Sequence, residues 1–367
     1  MSQDKDHVRS WIGLSSIPGI GRVTFRKLAA HFGSAAAVLD ASREELRKSA
    51  GLSEKISSEL RSFPWQERAD EELVKAERAG VAIVTAEDPD YPGPLLNTPD
   101  PPLLLYIKGS LLPEDGNAVA MVGTRTPTHY GLTVTHRMAY ELASQRITVV
   151  SGMARGIDTQ AHKGALAARG RTIAVLGCGI DTAYPPENRG LMEEIARTGA
   201  VVTENPFGTK PESGYFPARN RIISGLAAGT VIIEAAEDSG SLITADYALK
   251  QGRKLFALPG NISSPLSRGT NSLIKQGAQL VETAGDVLTG LDIYRSKSAT
   301  AISRQLPSLT NEETSVFKTV TDEPKHIDVI MAESGSTAGK LSGVLITLEL
   351  KGLVKQLPGK YFVREDR

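Results

Sequence analysis

Short aliphatic runs separated by helical lengths dominate the middle of the chain. Between about Leu103 and Leu291 these runs are AVAMVG, ITVVSG, TIAVLG, AVVTEN, TVIIEA and LFALPG. They are β-branched and apolar on both faces rather than alternating. That pattern suits strands of a parallel sheet covered by helices on each side, so the fold class expected is α/β, a doubly wound Rossmann-like domain. The region before about Gly80 has helical periodicity instead, with Leu28, Phe32, Val38, Leu39, Leu46, Ile56 and Leu60 as its apolar set. DPDYPGPLLNTPDPP, from Asp88, packs proline too densely for regular structure and reads as an extended connector.

After Leu291 the stretch DIYRSKSATAISRQLPSLTNEE loses periodicity and reads as a linker. In the tail, Ile327, Ile330 and Met331 offer one short helical face. Leu341, Val344, Leu345 and Leu348 follow the i, i+3, i+4, i+7 pattern of a second, and LVKQLPGKYFVRE reads as two strands about a Pro-Gly turn. A winged helix and a small protein-interaction module both fit. The expected division is a helical domain over 1–80, a connector over 81–102, the α/β domain over 103–291, a linker over 292–311 and a winged-helix-like domain over 312–367.

Composition narrows the function classes. A chain of 367 residues that is 40% hydrophobic and 23% charged reads as soluble and multi-domain. It shows no apolar run of membrane-spanning length, and MSQDKDHVRS at the start is polar, so a cytoplasmic protein is expected. One cysteine, Cys178, and scattered histidines argue against disulfides and structural metal. Lys+Arg and Asp+Glu balance at 42 each, so any affinity for a polyanion must come from local clustering. The stretch from Asn117 to Leu226 does carry a mild surplus of Lys and Arg.

Candidate chemistry collects at the carboxyl ends of the expected strands, where α/β sheets bind ligands. MVGTRT brings Gly123, Thr124 and Arg125, and SGMARGIDTQAH brings Gly152, Arg155, Asp158 and His162. LGCGIDTAYPPEN brings Tyr184 and Asn188, TENPFGTKP brings Lys210, and EAAEDSGSLITA brings Ser239, Ser241 and Thr244. Glycine turns that open helices make phosphate cradles, and they also make ordinary tight turns. Asp158 reads first as a first-turn helix acid and His162 as a local hydrogen-bonding partner; Cys178 reads as a small buried residue.

FPARNRIISGL, from Phe216, places Arg219, Asn220 and Arg221 ahead of an aliphatic strand, where the arginines either solvate the turn or meet an anion. Guanidinium forks beside aromatic rings suit a single-stranded nucleic acid better than a duplex.

Familiar enzyme signatures are incomplete. GCGIDT lacks the third glycine of a dinucleotide fingerprint, GSTAGK is one residue short of a phosphate loop, and no G-x-S-x-G elbow occurs. No cofactor and no catalytic residue are expected. In the N-terminal zone, Pro-Gly-Ile-Gly from Pro18 lies between helical stretches as in a helix-hairpin-helix, and AGLSEKISSEL reads as a degraded second copy. Such units serve either phosphate binding or protein contact.

In order, VGTR, SGMARGIDTQAH, VLGCGIDTAYPPEN, TENPFG, FPARNRIISGL, EAAEDSGSLITADYALKQGR and ALPGNISSPLSRGTN resemble the DNA-processing protein A (DprA/Smf) family from about Asp88 to Leu291. The helical front and winged-helix-like tail agree with that family's architecture. The resemblance implies a homodimeric single-stranded DNA-binding recombination mediator that protects incoming strands and loads RecA recombinase, without membrane association. It implies that Arg125, Arg155, Phe216, Arg219, Asn220 and Arg221 line the DNA pocket, with Arg125 and Arg221 on phosphates and Phe216 stacked on a base. Two departures stand out. Thr124 replaces the common serine, and PESGYFP has Glu212 and Ser213 where a basic residue is frequent, leaving Lys210 as the nearest substitute cation. The runner-up function is a nucleotide-processing enzyme of the nucleotide N-glycosidase kind, although its double-glycine turn is missing at EDSGSLITA.

Overall fold

The computed structural model describes residues 5–42, 44–46, 54–293 and 309–364. Nine strands form the central sheet: β1 (Val81–Thr85), β2 (Leu104–Gly109), β3 (Val119–Val122), β4 (Val149–Ser151), β5 (Thr172–Val175), β6 (Ala200–Thr203), β7 (Gly229–Ile232), β8 (Lys254–Ala257) and β9 (Gln279–Leu280). Their order is β1-β2-β6-β5-β4-β3-β7-β8-β9. The six apolar runs found in the sequence are strands β3 to β8, all paired in parallel. Every residue of β3 to β7 is buried, which is why those runs show no alternation.

Helices cover both faces. Ala120 and Val122 of β3 pack with Ile222 and Ile223 of the Tyr215–Gly225 helix and Ala245 and Ala248 of the Gly240–Lys250 helix. Val119 and Met121 face the other way, toward Met138 and Leu142 of the His129–Ser144 helix and Ile157 and Ala161 of the Ile157–Ala167 helix. The chain builds β3 to β6 outward in one direction and then returns to place β7 on the far side of β3. The carboxyl ends of β3 and β7 therefore flank a topological switch point, where the loops diverge and leave a crevice.

Three features differ from the sequence reading. The connector expected over 81–102 opens with β1, which pairs antiparallel with β2, while β2 pairs antiparallel with β6, and Gly93–Leu96 forms a helical turn. Proline ends these elements without preventing them, since Pro94 occupies the first helical turn where no donor is needed. The FPARNR stretch is the start of a helix, Tyr215–Gly225, rather than a loop; Pro217 again falls in its first turn. The linker expected over 292–311 lies largely outside the described residues, as does the beginning of the second helix-hairpin-helix copy.

In the N-terminal domain the Lys5–Ser16 and Arg22–Phe32 helices flank the Pro-Gly-Ile-Gly hairpin, with Gly19 at φ +87°. Leu28, Val38, Leu39, Leu46 and Leu60 are buried as expected, joined by Trp11 and Phe25, whose rings lie 4.7 Å apart. This core runs on into Ile83, Leu104 and Tyr106 at the antiparallel edge of the sheet. The C-terminal unit contains the helices Asn311–Thr319, Ile327–Ser334 and Ala338–Leu350. A three-stranded sheet of β10 (Lys325–His326), β11 (Val354–Leu357) and β12 (Tyr361–Arg364) completes its winged-helix arrangement. Leu341, Leu345 and Leu348 are buried as their spacing predicts, and the capping box of Thr310 and Glu313 starts a first helix the periodicity did not reveal.

Candidate nucleic-acid interface

A cavity of about 640 Å³ opens at the switch point. Val122 to Thr126 from the β3 end, Ala154 and Asp158 from the β4 end, Tyr184 from the β5 loop and Ser239 to Ser241 from the β7 end contribute to it. Much of the remaining wall is the Tyr215–Gly225 helix, which presents Phe216, Arg219, Asn220 and Ile223. Those four positions are spaced i, i+3, i+4, i+7 and form one helical stripe.

Phe216 is the centre of the cluster. Its ring centroid lies 5.4 Å from that of Tyr184, 5.6 Å from the Arg125 guanidinium carbon and 6.0 Å from that of Arg219. The ring packs on Gly177 so tightly that a Cβ there would fall 2.8 Å from it. Arg125 is exposed, and among the described residues no carboxylate pairs with it. Its turn is held from below: Thr124 N donates to the Glu234 carbonyl at 2.8 Å, and the Glu234 carboxylate accepts from Thr128 N and Oγ1 at 2.9 and 2.5 Å.

Arg219 is buried beneath Phe216. Its guanidinium donates to the carbonyls of Gly152 and Val175, and its Nε donates to Asn220 Oδ1 at 3.2 Å. Asn220 in turn donates to the Gly240 carbonyl at 3.3 Å, tying this helix to the start of the Gly240–Lys250 helix. Asp158 supplies the negative charge of the lining. Burial pushes its carboxyl above the usual range, with the nearby Arg219 opposing the shift. Burial likewise lowers the Arg219 guanidinium, pushes the His162 imidazole down to about 3 and raises the Cys178 thiol to about 11.

The expected residues thus divide. Gly123, Thr124, Arg125, Tyr184, Phe216, Arg219, Asn220 and Ser241 line the main cavity, while Gly152 and Arg155 border a small adjoining cleft shared with Tyr184 and Phe216. Lys210 is exposed and lines neither. Asn188 is buried and donates to the Met153 carbonyl and Thr159 Oγ1 at 3.0 and 2.8 Å, a structural tie rather than a ligand contact.

Arg221 is the clear correction. Two residues beyond Arg219 it projects from another face of the helix, and its side chain is only 4% exposed. It pairs with Glu204 at 2.6 Å and with Asp100 at 3.3 Å. Arg22 of the N-terminal domain meets the same two carboxylates at 3.2 and 2.8 Å, and Arg26 meets Asp100 at 3.4 Å. The group expected to grip a phosphate instead joins the N-terminal domain, the connector and the sheet. Asp158, read first as a first-turn helix acid, and Ser213, noted where a basic residue is frequent, both line the wall, whereas Ile223 and Ile243 were not expected there; Ile223 completes the stripe from Phe216 and was findable by its spacing.

Among the described residues no group of three or more His, Cys, Asp or Glu side chains could hold a metal ion, and no helix is long and apolar enough to cross a membrane. Residues 82–292 match the family described as DNA recombination-mediator protein A. Residues 300–360 match the DprA winged helix domain and 12–61 a SAM-like helix-hairpin-helix tandem. Protein Smf of Synechocystis is 34% identical over 96% of this chain and 98% of its own length. The X-ray structure of DNA processing protein A from Streptococcus pneumoniae superposes with a TM-score of 0.67 at 33% identity, covering 79% of this chain and 98% of that one. A Helicobacter pylori structure, reported for its single-stranded DNA binding mode, gives a TM-score of 0.53 at 34% identity over 59% of this chain and 99% of that one. With its α/β core, helix-hairpin-helix front and winged-helix tail all matched in order, the chain belongs to the DNA recombination-mediator protein A (DprA/Smf) family.

Proposed function

We propose that this protein binds single-stranded DNA at the switch-point cavity and acts, without catalysing a reaction, as a cytoplasmic recombination mediator that delivers strands to RecA as a homodimer. The observation that carries the reading is the exposed Arg125, in no ion pair among the described residues, placed 5.6 Å from the Phe216 ring at the cavity mouth. A guanidinium forks onto a phosphate while an aromatic face accepts a base of any identity, so the two together suit a backbone with accessible bases. Duplex DNA hides those faces. The Helicobacter pylori relative, described as a single-stranded DNA binder, supports the same choice of ligand.

In this reading Arg125 contacts phosphate, Phe216 and Tyr184 stack, and Ser239 and Ser241 offer hydroxyl groups beside the opening of the Gly240–Lys250 helix. Arg219 and Asn220 position the wall. RecA loading and dimerisation come from the family's role and would be read by strand-exchange stimulation and by sedimentation.

Fluorescence anisotropy with single-stranded and duplex oligonucleotides of one sequence, over a salt series, tests the ligand. Wild type should prefer the single strand, with affinity falling steeply as salt rises, and Arg125→Ala should weaken binding and flatten the slope by about 0.7. Equal affinity for both forms, or an unchanged slope in the variant, would overturn it. A nucleotide-hydrolysis screen on the same protein addresses the enzyme reading, for which Asp158 is the carboxylate in the wall.

A further inference from the structure

Two exposed arginines stand at the cavity mouth, and the fold treats them differently. Arg125 lacks a carboxylate partner among the described residues, whereas Arg155 Nε donates to Glu187 Oε1 at 2.5 Å. Arg155 borders the small cleft with Gly152, Tyr184, Pro185 and Phe216. Glu187 follows three residues after Tyr184, in the Pro186–Asn188 turn.

The pairing is built rather than casual. Asn188, next to Glu187, donates its amide to the Met153 carbonyl and to Thr159 Oγ1, which fastens this turn to the segment carrying Arg155. Gly156, at φ +76°, packs where a Cβ would lie 2.5 Å from the Thr124 carbonyl oxygen, which fixes that segment against the Arg125 turn. The carboxylate is therefore held opposite the guanidinium by backbone and amide contacts that do not depend on the ion pair. The pair itself remains open to solvent, with Arg155 60% and Glu187 52% exposed, so an incoming anion can reach it and little energy resists its opening.

We propose that Glu187 is an internal stand-in for phosphate: it holds Arg155 in a binding orientation at the cavity rim and is displaced when a DNA backbone arrives. The inference rests on the reading of the cavity as a single-strand site. A carboxylate and a phosphate oxygen accept the same guanidinium hydrogen bonds, so the exchange needs no rearrangement of the fold. Its consequence is a built-in limit on affinity. When a phosphate takes Arg155, the released Glu187 takes up a cation, which cancels one counterion release and makes the site less salt-dependent than its arginines alone would make it. Glu187 would in this way favour strands that engage Arg125 and Arg155 together over stray anions that engage one.

The test compares wild type, Glu187→Gln, Arg155→Ala and the double variant for binding of a fluorescein-labelled oligothymidylate across a salt series, with thermal midpoints as a folding control. Glu187→Gln should bind roughly two- to fivefold tighter at low salt. Its log K against log salt slope should steepen by about 0.7. Both changes should vanish in the Arg155→Ala background. Three outcomes overturn the proposal: unchanged or weaker binding by Glu187→Gln, an unchanged slope, or a gain that persists without Arg155 and so reflects only removal of a negative charge. If wild type binds no single strand at any salt, the reading of the cavity itself falls and this proposal with it; binding by wild type with an inert Glu187→Gln sinks the proposal alone.

Discussion

Arg219 lies across Gly152 with no room between them: a Cβ on Gly152 would fall 2.6 Å from the Arg219 guanidinium carbon. The Gly152 carbonyl also accepts a hydrogen bond from the same guanidinium. A glycine is needed here for close approach, because a buried cation must use backbone carbonyls as partners and those carbonyls must be unobstructed. Gly152→Ala should therefore push Arg219 from its seat and cost about 1–3 kcal/mol in a urea titration. Phe216, which packs over Arg219, should shift with it, so single-strand affinity should drop in the folded variant. Wild-type stability and affinity together would contradict the seat.

Arg221→Ala should act on stability rather than on DNA contacts. The substitution leaves Glu204, which is itself largely buried, with Arg22 alone as counter-charge, and loses the Asp100 contact. Breaking a buried pair costs about 3–5 kcal/mol in general, and the solvent-accessible Arg22 should hold the loss toward the lower end. The variant should unfold at distinctly lower denaturant, while protein that remains folded keeps the wild-type salt slope for single strands. A flattened slope with normal stability would return Arg221 to the binding surface.

The contrast between Arg219 and Arg221 shows where the sequence was readable. Strands β3 to β8 announced themselves because burial on both faces removes the polar–apolar alternation and leaves few polar residues in each run. The cavity's location followed from the strand ends. What failed was the local conformation of FPARNR: read as a turn, it gives both arginines the same access. As a helix, its stripe of Phe216, Arg219, Asn220 and Ile223 includes one arginine and excludes the other. Pro217 falls in the first turn, where it is compatible with that helix. Partners distant in sequence, such as Asp100 and Glu204 for Arg221, could not be read from any local pattern. Strand β1, VAIVT, is apolar with four of its five residues buried, and it escaped because the proline-rich stretch that follows drew the whole of 81–102 into one connector.

Phe216→Leu separates stacking from charge. Leucine fills part of the same space against Gly177 yet offers no aromatic face. Single-strand affinity should fall by roughly 5- to 150-fold, the equivalent of about 1–3 kcal/mol per stacked base. The salt slope should stay as in wild type, since no phosphate contact is removed. A changed slope would mean that the ring acts by holding the Arg125 guanidinium in place rather than by meeting a base.

His162 gives the fold an acid-sensitive element beneath the site. It is fully buried, its Nδ1 lies 2.7 Å from Thr172 Oγ1, and Nε2 has no hydrogen-bond partner. Because Thr172 Oγ1 donates to the Val149 carbonyl, Nδ1 carries the proton and donates to Thr172, leaving Nε2 as a bare acceptor. Burial, helped by the Arg219 charge, pushes the imidazole down to about 3 from an ordinary value of 6.5. The native state then stays neutral while an unfolded chain takes up a proton below pH 6.5. Its contribution to stability is complete above that pH and is lost as pH falls toward 3, with a slope approaching about 1.4 kcal/mol per pH unit. His162→Gln keeps a donor for Thr172 but cannot titrate, so its urea midpoint should fall less than that of wild type between pH 7 and pH 4.5. Asp158 titrates in both proteins and drops out of the comparison. Parallel loss of stability in the two would show that the acid sensitivity lies elsewhere, whereas a divergence opening below pH 6.5 would place it on this one imidazole.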